Sequence, residues 1–518
     1  MAPATRREKG RMETAALEPT VTAKYQRLEM RGGEQTGREM SWLKRVLIAG
    51  GTSLALAAVA RAADLPTTKG PPAPPPGPTS CTSFQDFLTT SCPLTYSGIT
   101  LYGTVDMGVG YDKFGAPWNP TAHFGDNYMI SKAGRPNIYE LAPNGLSQSN
   151  IGIKGNFPVW NGWSIVGQAE TGFDPFSLQL ANGVGALYEN NLTPLSQQSS
   201  SADSARAGQA LNSQYFAGVS NPTFGTLTFG RVNTLMLDGV NAYDPMGGSY
   251  AFSVIGFSGT TAGGGNTEDT RSNTAFKYRV AYNNFRASGV VQVGGYAQGN
   301  GAEELYQGGV GFDAYGFSFD AIGSYAQDSD HLGTINAAVA PPTPDYLKGT
   351  ISNDTSFMLL GKYTWNQLTL FGGFESIEYQ NPTSDWAKAG NYFTGLGGYL
   401  TQNQGDKFFT PEYFQVFWTG AKYAFTPDLV GTVAYYHYNQ DFYMASATSK
   451  SCSNSSASNC SGTMDAASAV LDYRFGFAQK FDVYAGAMFS QVNNGLANGY
   501  QTGGHVNIDP TVGLRFRF

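Results

Sequence analysis

From residue 99 to the C-terminus, the chain alternates apolar and polar positions with the two-residue period of β-strands. The final segment, "TVGLRFRF", shows the pattern clearly. Leu514, Phe516 and Phe518 share one parity. Arg515 and Arg517 share the other. Such a strand has one fully apolar face and one polar face, which predicts a sheet that meets lipid or a core on one side only.

Sixteen runs of this kind are predicted along the chain, each rich in aromatic and β-branched residues. They lie near 99–112, 149–159, 163–174, 212–220, 224–232, 272–282, 286–297, 304–315, 317–328, 354–365, 367–380, 412–425, 429–442, 464–475, 481–493 and 508–518. Most have the roughly 9–11 residues that a tilted strand needs to cross a membrane, or slightly more.

The links between these strands are sorted by length. Tight turns follow the even strands, at Asn161-Gly162, Asn221-Pro222, Asn283-Asn284, Tyr315-Gly316, Asn366-Gln367, Thr426-Pro427 and Ala478-Gln479. Long links follow most odd strands, at 113–148, 175–211, 233–271, 329–353, 381–411, 443–463 and 494–507. This asymmetry predicts an all-β fold: a transmembrane antiparallel β-barrel of 16 strands, with short periplasmic turns and long external loops. A β-sandwich or propeller has no reason to sort its loops in this way.

Composition agrees with a barrel. Only 14% of the 518 residues are charged, mean hydropathy is -0.26, and the chain has 65 Gly, 30 Tyr and 33 Phe. Beyond the N-terminal region there is no run of about 18 apolar residues, so the sequence predicts no transmembrane helix.

The N-terminal region carries the signs of export. Lys44 and Arg45 precede a short apolar stretch, and Ala60-Arg61-Ala62 is an A-x-A-like cleavage site. We predict a signal peptide at 40–62, with a retained anchor as the alternative. Residues 1–39 are predicted to be a non-native or unstructured extension, and 63–98 a proline-rich periplasmic leader that precedes the barrel domain, 99–518.

Charge and cysteine content limit the partners. Residues 1–62 hold 11 basic and 6 acidic residues, so the mature chain keeps 21 and 33, a formal charge of -12. That balance argues against nucleic acid as a partner. Four cysteines in an exported chain favour two local disulfides, Cys81–Cys92 and Cys452–Cys460. The alternative is a metal site, but no C-x-x-C occurs and the histidines are scattered.

Catalytic signals are weak. No G-x-S-x-G or H-E-x-x-H motif occurs, and the glycine-rich stretch at 259–267 lacks the lysine of a phosphate-binding loop. We therefore expect no enzymatic activity and no cofactor.

Several segments together resemble the general porins of the Gram-negative outer membrane, with a leader similar to that of alphaproteobacterial porins. They are "GITLYGTVDMGVGYD" (98–112), "SNIGIKGNF" (149–157), "FAGVSNPTFGTLTFGRVNT" (216–234), "DPMGGSYAF" (244–252), "RSNTAFKYR" (271–279) and "GLRFRF" (513–518). The resemblance implies a homotrimer in the outer membrane, in contact with lipid and lipopolysaccharide. Each barrel would pass small hydrophilic solutes and ions by passive diffusion. It also implies that the barrel-assembly machinery reads the terminal Phe518.

The same resemblance implies that the third external loop, 233–271, folds into the barrel and narrows it. Enteric members carry Pro-Glu-Phe-Gly-Gly there, and the glutamate lines the constriction. This chain has Asp244-Pro245-Met246-Gly247-Gly248, in which the acid is displaced. Asp244 is the first choice for the acid that faces the pore, and Asp238 is the second.

Strand parity assigns basic residues to the inner wall. In the second strand, for example, Ile151 and Ile153 point outward, so Lys154 points inward. A lysine or arginine facing lipid at the midplane would cost roughly 2–4 kcal/mol. The inward basic residues are Lys154, Lys277, Arg279, Arg286, Lys362, Lys422, Arg474 and Arg515. The inward acids placed in this way are Asp106, Glu170, Asp320 and Asp472.

Two places interrupt the alternation. Val416 and Trp418 share the parity of inward residues but are apolar. Arg231 shares the outward parity of Phe229, and a bulge at Gly230 would turn it inward, where the family has an arginine.

The functional hypothesis is a transverse field between wall cations and loop acids, with a weak preference for anions. The alternative is that these charges only pair and hydrate the lumen. Other functions considered are a specific channel for an organic acid or oligosaccharide, a secreted sandwich or propeller enzyme, and a structural or adhesive barrel. A specific sugar channel would need an aromatic ladder along the lumen.

Overall fold

The structure is a computed structural model. It describes residues 80–90, 92–112, 138–173, 175–176, 178, 210–255, 271–295, 302–332, 347–385, 392–396, 399–405, 408–444, 461–475, 480–494 and 506–518. The predicted extension 1–39, the signal peptide 40–62, most of the leader, and the pair Cys452 and Cys460 lie outside the described residues.

Within these residues lie twenty strands and two helices. The strands are β1 (Leu94–Tyr96), β2 (Ile99–Asp112), β3 (Ile138–Pro143), β4 (Asn150–Trp160), β5 (Trp163–Gly172), β6 (Tyr215–Asn221), β7 (Gly225–Asn233), β8 (Arg271–Tyr282), β9 (Phe285–Gln292), β10 (Glu304–Ala314), β11 (Phe317–Leu332), β12 (Leu347–Trp365), β13 (Leu368–Gln380), β14 (Tyr392–Leu396), β15 (Tyr399–Gly405), β16 (Glu412–Ala424), β17 (Leu429–Gln440), β18 (Gly462–Phe475), β19 (Phe481–Asn494) and β20 (Val506–Arg517). The helices are α1 (Phe84–Thr89) and α2 (Leu235–Tyr243).

Sixteen of these strands form a closed antiparallel barrel, which confirms the predicted fold. Each neighbours the next along the chain, and the ring closes where β2 pairs with β20. Gly103 and Phe518 complete the closure by exchanging two backbone hydrogen bonds of 3.0 Å. The last residue of the chain therefore belongs to the seam of the barrel.

Four short strands were not predicted. β1 pairs with the start of β2, and β3 pairs with its second half. β14 and β15 form a hairpin in the link 381–411, and β15 pairs with the extended end of β12 in parallel. All four add to the edge of the barrel strands without changing the closed ring.

Six of the seven predicted tight turns lie within the described residues, at one rim, and Ala478-Gln479 lies outside them. Asn161, Gly162, Tyr315 and Gly316 have φ values of 46°, 75°, 53° and 83°, as two-residue hairpin turns require. Glycine is also needed at 316 because a Cβ there would lie 2.5 Å from the carbonyl oxygen of Thr364. We call this the short-turn rim. It also holds both ends of the barrel domain.

The two faces of the wall differ as the parity predicts. Val512 and Leu514 on the outer face are 45% and 47% exposed, as are many aromatic and aliphatic side chains around the barrel. The largest buried apolar cluster lies inside the barrel, where it includes Val240, Phe252 and Trp418. A water-filled lumen alone would not bury these side chains. They are buried because part of the chain folds inward over them.

Candidate functional site

The inward segment is residues 233–255, which we call the folded loop. It begins with α2, whose N-cap Thr234 accepts a hydrogen bond from the backbone N–H of Leu237. The helix packs against the inner faces of β9 to β13. At Gly239 the helix approaches the wall so closely that a Cβ would lie 2.7 Å from Leu360. The predicted inward fold of the third loop is thus present over the described residues.

After α2 the folded loop continues along the wall of the C-terminal strands. Trp418 donates its indole N–H to the carbonyl oxygen of Tyr243 over 3.2 Å. The hydroxyl of Tyr438 donates to the carbonyl oxygen of Val254 over 3.1 Å. These contacts explain why Val416 and Trp418 are apolar at inward positions: the folded loop covers them, so they meet protein and not water.

The far end of the folded loop meets residues 144–149, an inward excursion between β3 and β4. Ser249 Oγ donates to the carbonyl oxygen of Gly145 over 2.6 Å, and Tyr250 Oη donates to Gln148 Oε1 over 2.6 Å. The folded loop is therefore held at both of its described ends by the wall or by elements that the wall supports.

Asp106 anchors that excursion. Its Oδ2 accepts hydrogen bonds from the backbone N–H groups of Leu146 and Ser147, each over 2.8 Å. The side chain is fully buried. Parity correctly placed this acid inside the barrel, but it holds backbone in place and does not face open water.

Asp238 of α2 binds two of the predicted wall cations. Lys277 Nζ lies 2.5 Å from its Oδ2 and also donates to the carbonyl oxygen of Asn233 over 2.6 Å. Arg279 forms an ion pair with the same oxygen. The structure thus brings together three of the predicted site residues, and one loop acid is shared between two wall cations.

Arg286 is likewise neutralised. Its Nε and Nη2 donate to the two carboxylate oxygens of Asp320 over 3.0 and 2.9 Å, and Asp313 is a second acidic partner. Nη2 also lies 2.7 Å from the hydroxyl of Tyr243. This arginine fixes the end of α2 to the wall.

Three predicted lysines contact an aromatic ring instead of a carboxylate. Lys154 lies 5.4 Å from the ring centre of Tyr102. Lys422 lies 5.9 Å from the ring centre of Phe371. Lys362, the third of these lysines, also contacts the folded loop. Among the described residues, no carboxylate lies within 4.0 Å of any of the three ammonium groups.

Lys362 lies beside the end of α2. Its Nζ donates to the carbonyl oxygen of Ala242 over 3.3 Å and lies 5.1 Å from the ring centre of Tyr243. This lysine therefore places a positive charge at the C-terminal end of the helix, where the helix dipole is negative.

The preference for Asp244 as the pore-facing acid is corrected. Asp244 is only 2% exposed, accepts a hydrogen bond from the hydroxyl of Tyr436 over 2.7 Å, and accepts one from the backbone N–H of Gly248 over 2.8 Å. Burial raises the pKa of its carboxyl group. Asp238, whose side chain is 25% exposed, is therefore the more accessible of the two loop acids.

Arg231 is also placed by the structure. The ladder between β7 and β8 shifts register between Gly230 and Val232, as the predicted bulge requires, and Gly230 has a φ of 140°. The guanidinium is buried and donates to the carbonyl oxygen of Asn212 over 2.8 Å and to Asn273 Oδ1 over 2.9 Å. It is not an open pore-lining group.

Arg474 and Arg515 lie inside the barrel near the short-turn rim, where both contact Asp482. Asp482 is fully buried and was missed from the sequence. The signal was present, because Phe481 and Val483 face outward and so place residue 482 inward.

The remaining predicted features are terminal. The sulfur atoms of Cys81 and Cys92 are bonded, and their Cα atoms are 5.1 Å apart. The ring of Phe518 stacks on Phe516, with centres 5.6 Å apart.

No helix among the described residues is long and apolar enough to cross a membrane. No group of three or more His, Cys, Asp or Glu side chains in that part of the chain is placed to hold a metal ion.

Comparison with known proteins gives the same picture as the geometry. The sequence profile of the Gram-negative porin family matches residues 50–495. No curated protein sequence matches the chain. Among solved structures, the anion-selective porin from Comamonas acidovorans is similar with a TM-score of 0.51 and 15% identity, over 81% of this chain and 99% of that one. OmpT, an outer membrane protein of Vibrio cholerae, is similar with a TM-score of 0.51 and 14% identity, over 82% and 99%.

Proposed function

The chain belongs to the Gram-negative porin family and forms an outer-membrane channel for passive diffusion, and from this premise we propose that its pore prefers small anions to cations. The observation that carries the proposal is that some of the basic residues on the inner wall form ion pairs with carboxylates, whereas three lysines there do not. Among the described residues, Lys154, Lys362 and Lys422 have no carboxylate within 4.0 Å.

The loop acids offset these lysines only in part, since Asp244 interacts electrostatically with Lys422 but lies more than 4.0 Å from its ammonium group. Asp238 already binds Lys277 and Arg279, and Asp244 is buried. Glu170, on β5 beside the strand of Lys154, accepts hydrogen bonds from the hydroxyls of Tyr102 and Ser213. The unpaired lysines therefore leave a positive potential in the lumen, which attracts anions.

The size of the effect follows from Coulomb's law. One unit charge about 10 Å from an ion in water changes its energy by about 0.4 kcal/mol, or roughly twofold in local concentration. Three such lysines give a moderate preference and not strict selectivity. Salt screens the effect, so it weakens as ionic strength rises.

A sugar-specific channel is less well supported. The large inward aromatic side chains, such as Trp418, Tyr436 and Tyr438, are almost fully buried beneath the folded loop. They present no stacking surface to a solute. We therefore propose a channel that selects solutes by their charge and size and has no catalytic role.

Assembly is proposed from the family alone. We expect export through the signal peptide, recognition of Phe518 by the barrel-assembly machinery, and a homotrimer. Chemical cross-linking in outer-membrane vesicles tests the homotrimer. Cross-linked samples that show only the monomer band on a denaturing gel would contradict it.

The ion preference is tested by neutralising each lysine. The reversal potential of single channels in a potassium chloride gradient is measured for Lys154→Gln, Lys362→Gln and Lys422→Gln. Each variant is expected to lower the anion-to-cation permeability ratio by roughly twofold. Lys480→Gln is the matched control, because its Nζ contacts Phe87 in α1 and not the lumen. Equal reversal potentials in all four variants and the wild type would contradict the proposal.

A further inference from the structure

The inner wall of the last three strands carries a cluster of arginines, which we call the exit cluster: Arg474, Arg515 and Arg517 around Asp482. Arg515 Nε donates to Asp482 Oδ2 over 2.7 Å, and Arg517 Nη2 donates to Oδ1 over 2.9 Å. Strand parity places all four side chains on the lumen side, because Leu471 and Leu514 on the other parity are exposed outward.

One buried carboxylate holds the three guanidinium groups together. Asp482 is fully buried, and Arg474 Nε lies 3.8 Å from its Oδ1, beyond hydrogen-bonding distance. Arg474 and Arg517 thus converge on the same oxygen atom. Like charges this close repel each other strongly unless an anion lies near them, and Asp482 can offset only one of them.

The charges of Arg517 and of the groups that act on it remain positive in sum when both acids among them are counted. Asp472 is the second acid, with its Oδ2 3.7 Å from Arg515 Nη2. Two further acids act on neighbouring bases, Asp244 on Lys422 and Asp106 on Arg515. Around Arg517 itself, three arginines face two acids: Arg474, Arg515 and Arg517 against Asp472 and Asp482.

Two of the arginines keep donor capacity toward the lumen. The side chains of Arg474 and Arg517 are 35% and 39% exposed, whereas that of Arg515 is 12% exposed. The Nε of Arg474 is buried and has no hydrogen-bond partner among the described residues, so this side chain can reach a lumen anion only through its Nη groups. A guanidinium fork of this kind matches the geometry of phosphate oxygens and binds them by two hydrogen bonds.

The cluster lies at the periplasmic end of the pore. Arg474 is one residue before the end of β18, and Arg517 is the last residue of β20. The folded loop lies elsewhere along the chain and contributes no residue to the ion pairs with Asp482. An anion that has passed the folded loop would meet these arginines before it leaves the barrel.

We propose that Arg474 and Arg517 form a binding site for a phosphate dianion at the periplasmic exit of the pore, held in place by Asp482. The proposal deepens the proposed function, since it rests on anions passing through the lumen. Phosphate is favoured over a monoanion such as acetate because two guanidinium groups can share its three oxygens and its second charge.

The test uses the full-length mature channel in a planar bilayer with symmetric potassium chloride. Inorganic phosphate is added at neutral pH to one compartment and then to the other, and the chloride current is recorded. We expect saturable inhibition, stronger from the periplasmic side. Arg474→Gln and Arg517→Gln should each raise the half-inhibitory concentration at least about threefold. Lys480→Gln, at the same rim but packed on α1, should leave it unchanged.

Folding of the variants is checked by their stepwise conductance in potassium chloride alone. If a glutamine variant forms no channels, Arg474→Lys and Arg517→Lys keep the charge and lose the fork, and they should weaken inhibition less. Inhibition that is unsaturable, equal for acetate, or unchanged in the arginine variants would overturn the site. These results are separable from the ion preference, because they are read in symmetric salt and not from a reversal potential.

Discussion

Tyr484 in β19 donates a hydrogen bond to Oδ1 of Asp106 in β2 over 2.7 Å, and both side chains are almost fully buried. The strand between them, β20, closes the barrel. The same carboxylate holds the excursion 144–149, on which the end of the folded loop rests. One buried acid therefore links the barrel seam to the element that narrows the pore.

Replacing Asp106 with asparagine should loosen that link. Asparagine has one acceptor oxygen and no charge, so the N–H groups of Leu146 and Ser147 and the hydroxyl of Tyr484 can no longer all donate to it, at a cost of about 1–3 kcal/mol. We expect a lower unfolding temperature in detergent and noisier single-channel currents, because the folded loop loses support. Asp441→Asn is the control, because that side chain is exposed and its carboxylate accepts a hydrogen bond from the side chain of Asn439. Quiet currents and unchanged unfolding in Asp106→Asn would contradict this role.

Replacing Asp238 with asparagine should increase the anion preference. Lys277 and Arg279 would lose their shared carboxylate and add positive potential to the lumen. We expect the anion-to-cation permeability ratio to rise by roughly twofold in a potassium chloride gradient. Asp86→Asn, in α1 and away from these cations, provides the comparison. A shift toward cations in Asp238→Asn would show that the carboxylate does not act through pore charge.

The barrel could be predicted from the sequence because the features that define it depend on residues close to one another in the chain. Alternation along each strand and the length of each link depend on neighbouring residues, and the sixteen predicted strands correspond one to one with the barrel strands. The bulge at Gly230 was also readable, since glycine permits the positive φ that the structure has there.

The pairing of charges could not be predicted in the same way. Parity shows that Asp244 is in a loop and Lys277 on the wall, but not that Tyr436 buries the first. Nor does it show that Asp238 binds the second. These contacts join segments that are tens to hundreds of residues apart, and they depend on the path of the folded loop. For the same reason the sequence did not show why Trp418 faces inward.

The short helix α1 should become less stable at low pH. Asp86 accepts a hydrogen bond from the backbone N–H of Thr82 over 2.8 Å. This bond is the largest cause that lowers the pKa of the Asp86 carboxyl group below its ordinary value of 3.8. Because the pKa is lowered in the folded state, the ionised carboxylate stabilises the helix fully at pH values above its ordinary pKa of 3.8. This contribution is lost as the pH falls through the lowered pKa.

Hydrogen exchange measures this directly. After correction for intrinsic rates, the amide of Thr82 should lose protection as the pH falls from about 5 to about 2. Asp86→Asn should show the same protection across that range. A wild-type profile as flat as that of the variant would rule out the carboxylate as the cause.

The most direct measurement is the reversal potential of the wild-type channel in a tenfold potassium chloride gradient, roughly at physiological ionic strength on the concentrated side. We expect ohmic steps and a reversal potential on the anion side, because Lys154, Lys362 and Lys422 have no carboxylate within 4.0 Å among the described residues. A reversal potential on the cation side would contradict the proposed preference while leaving the diffusion channel intact.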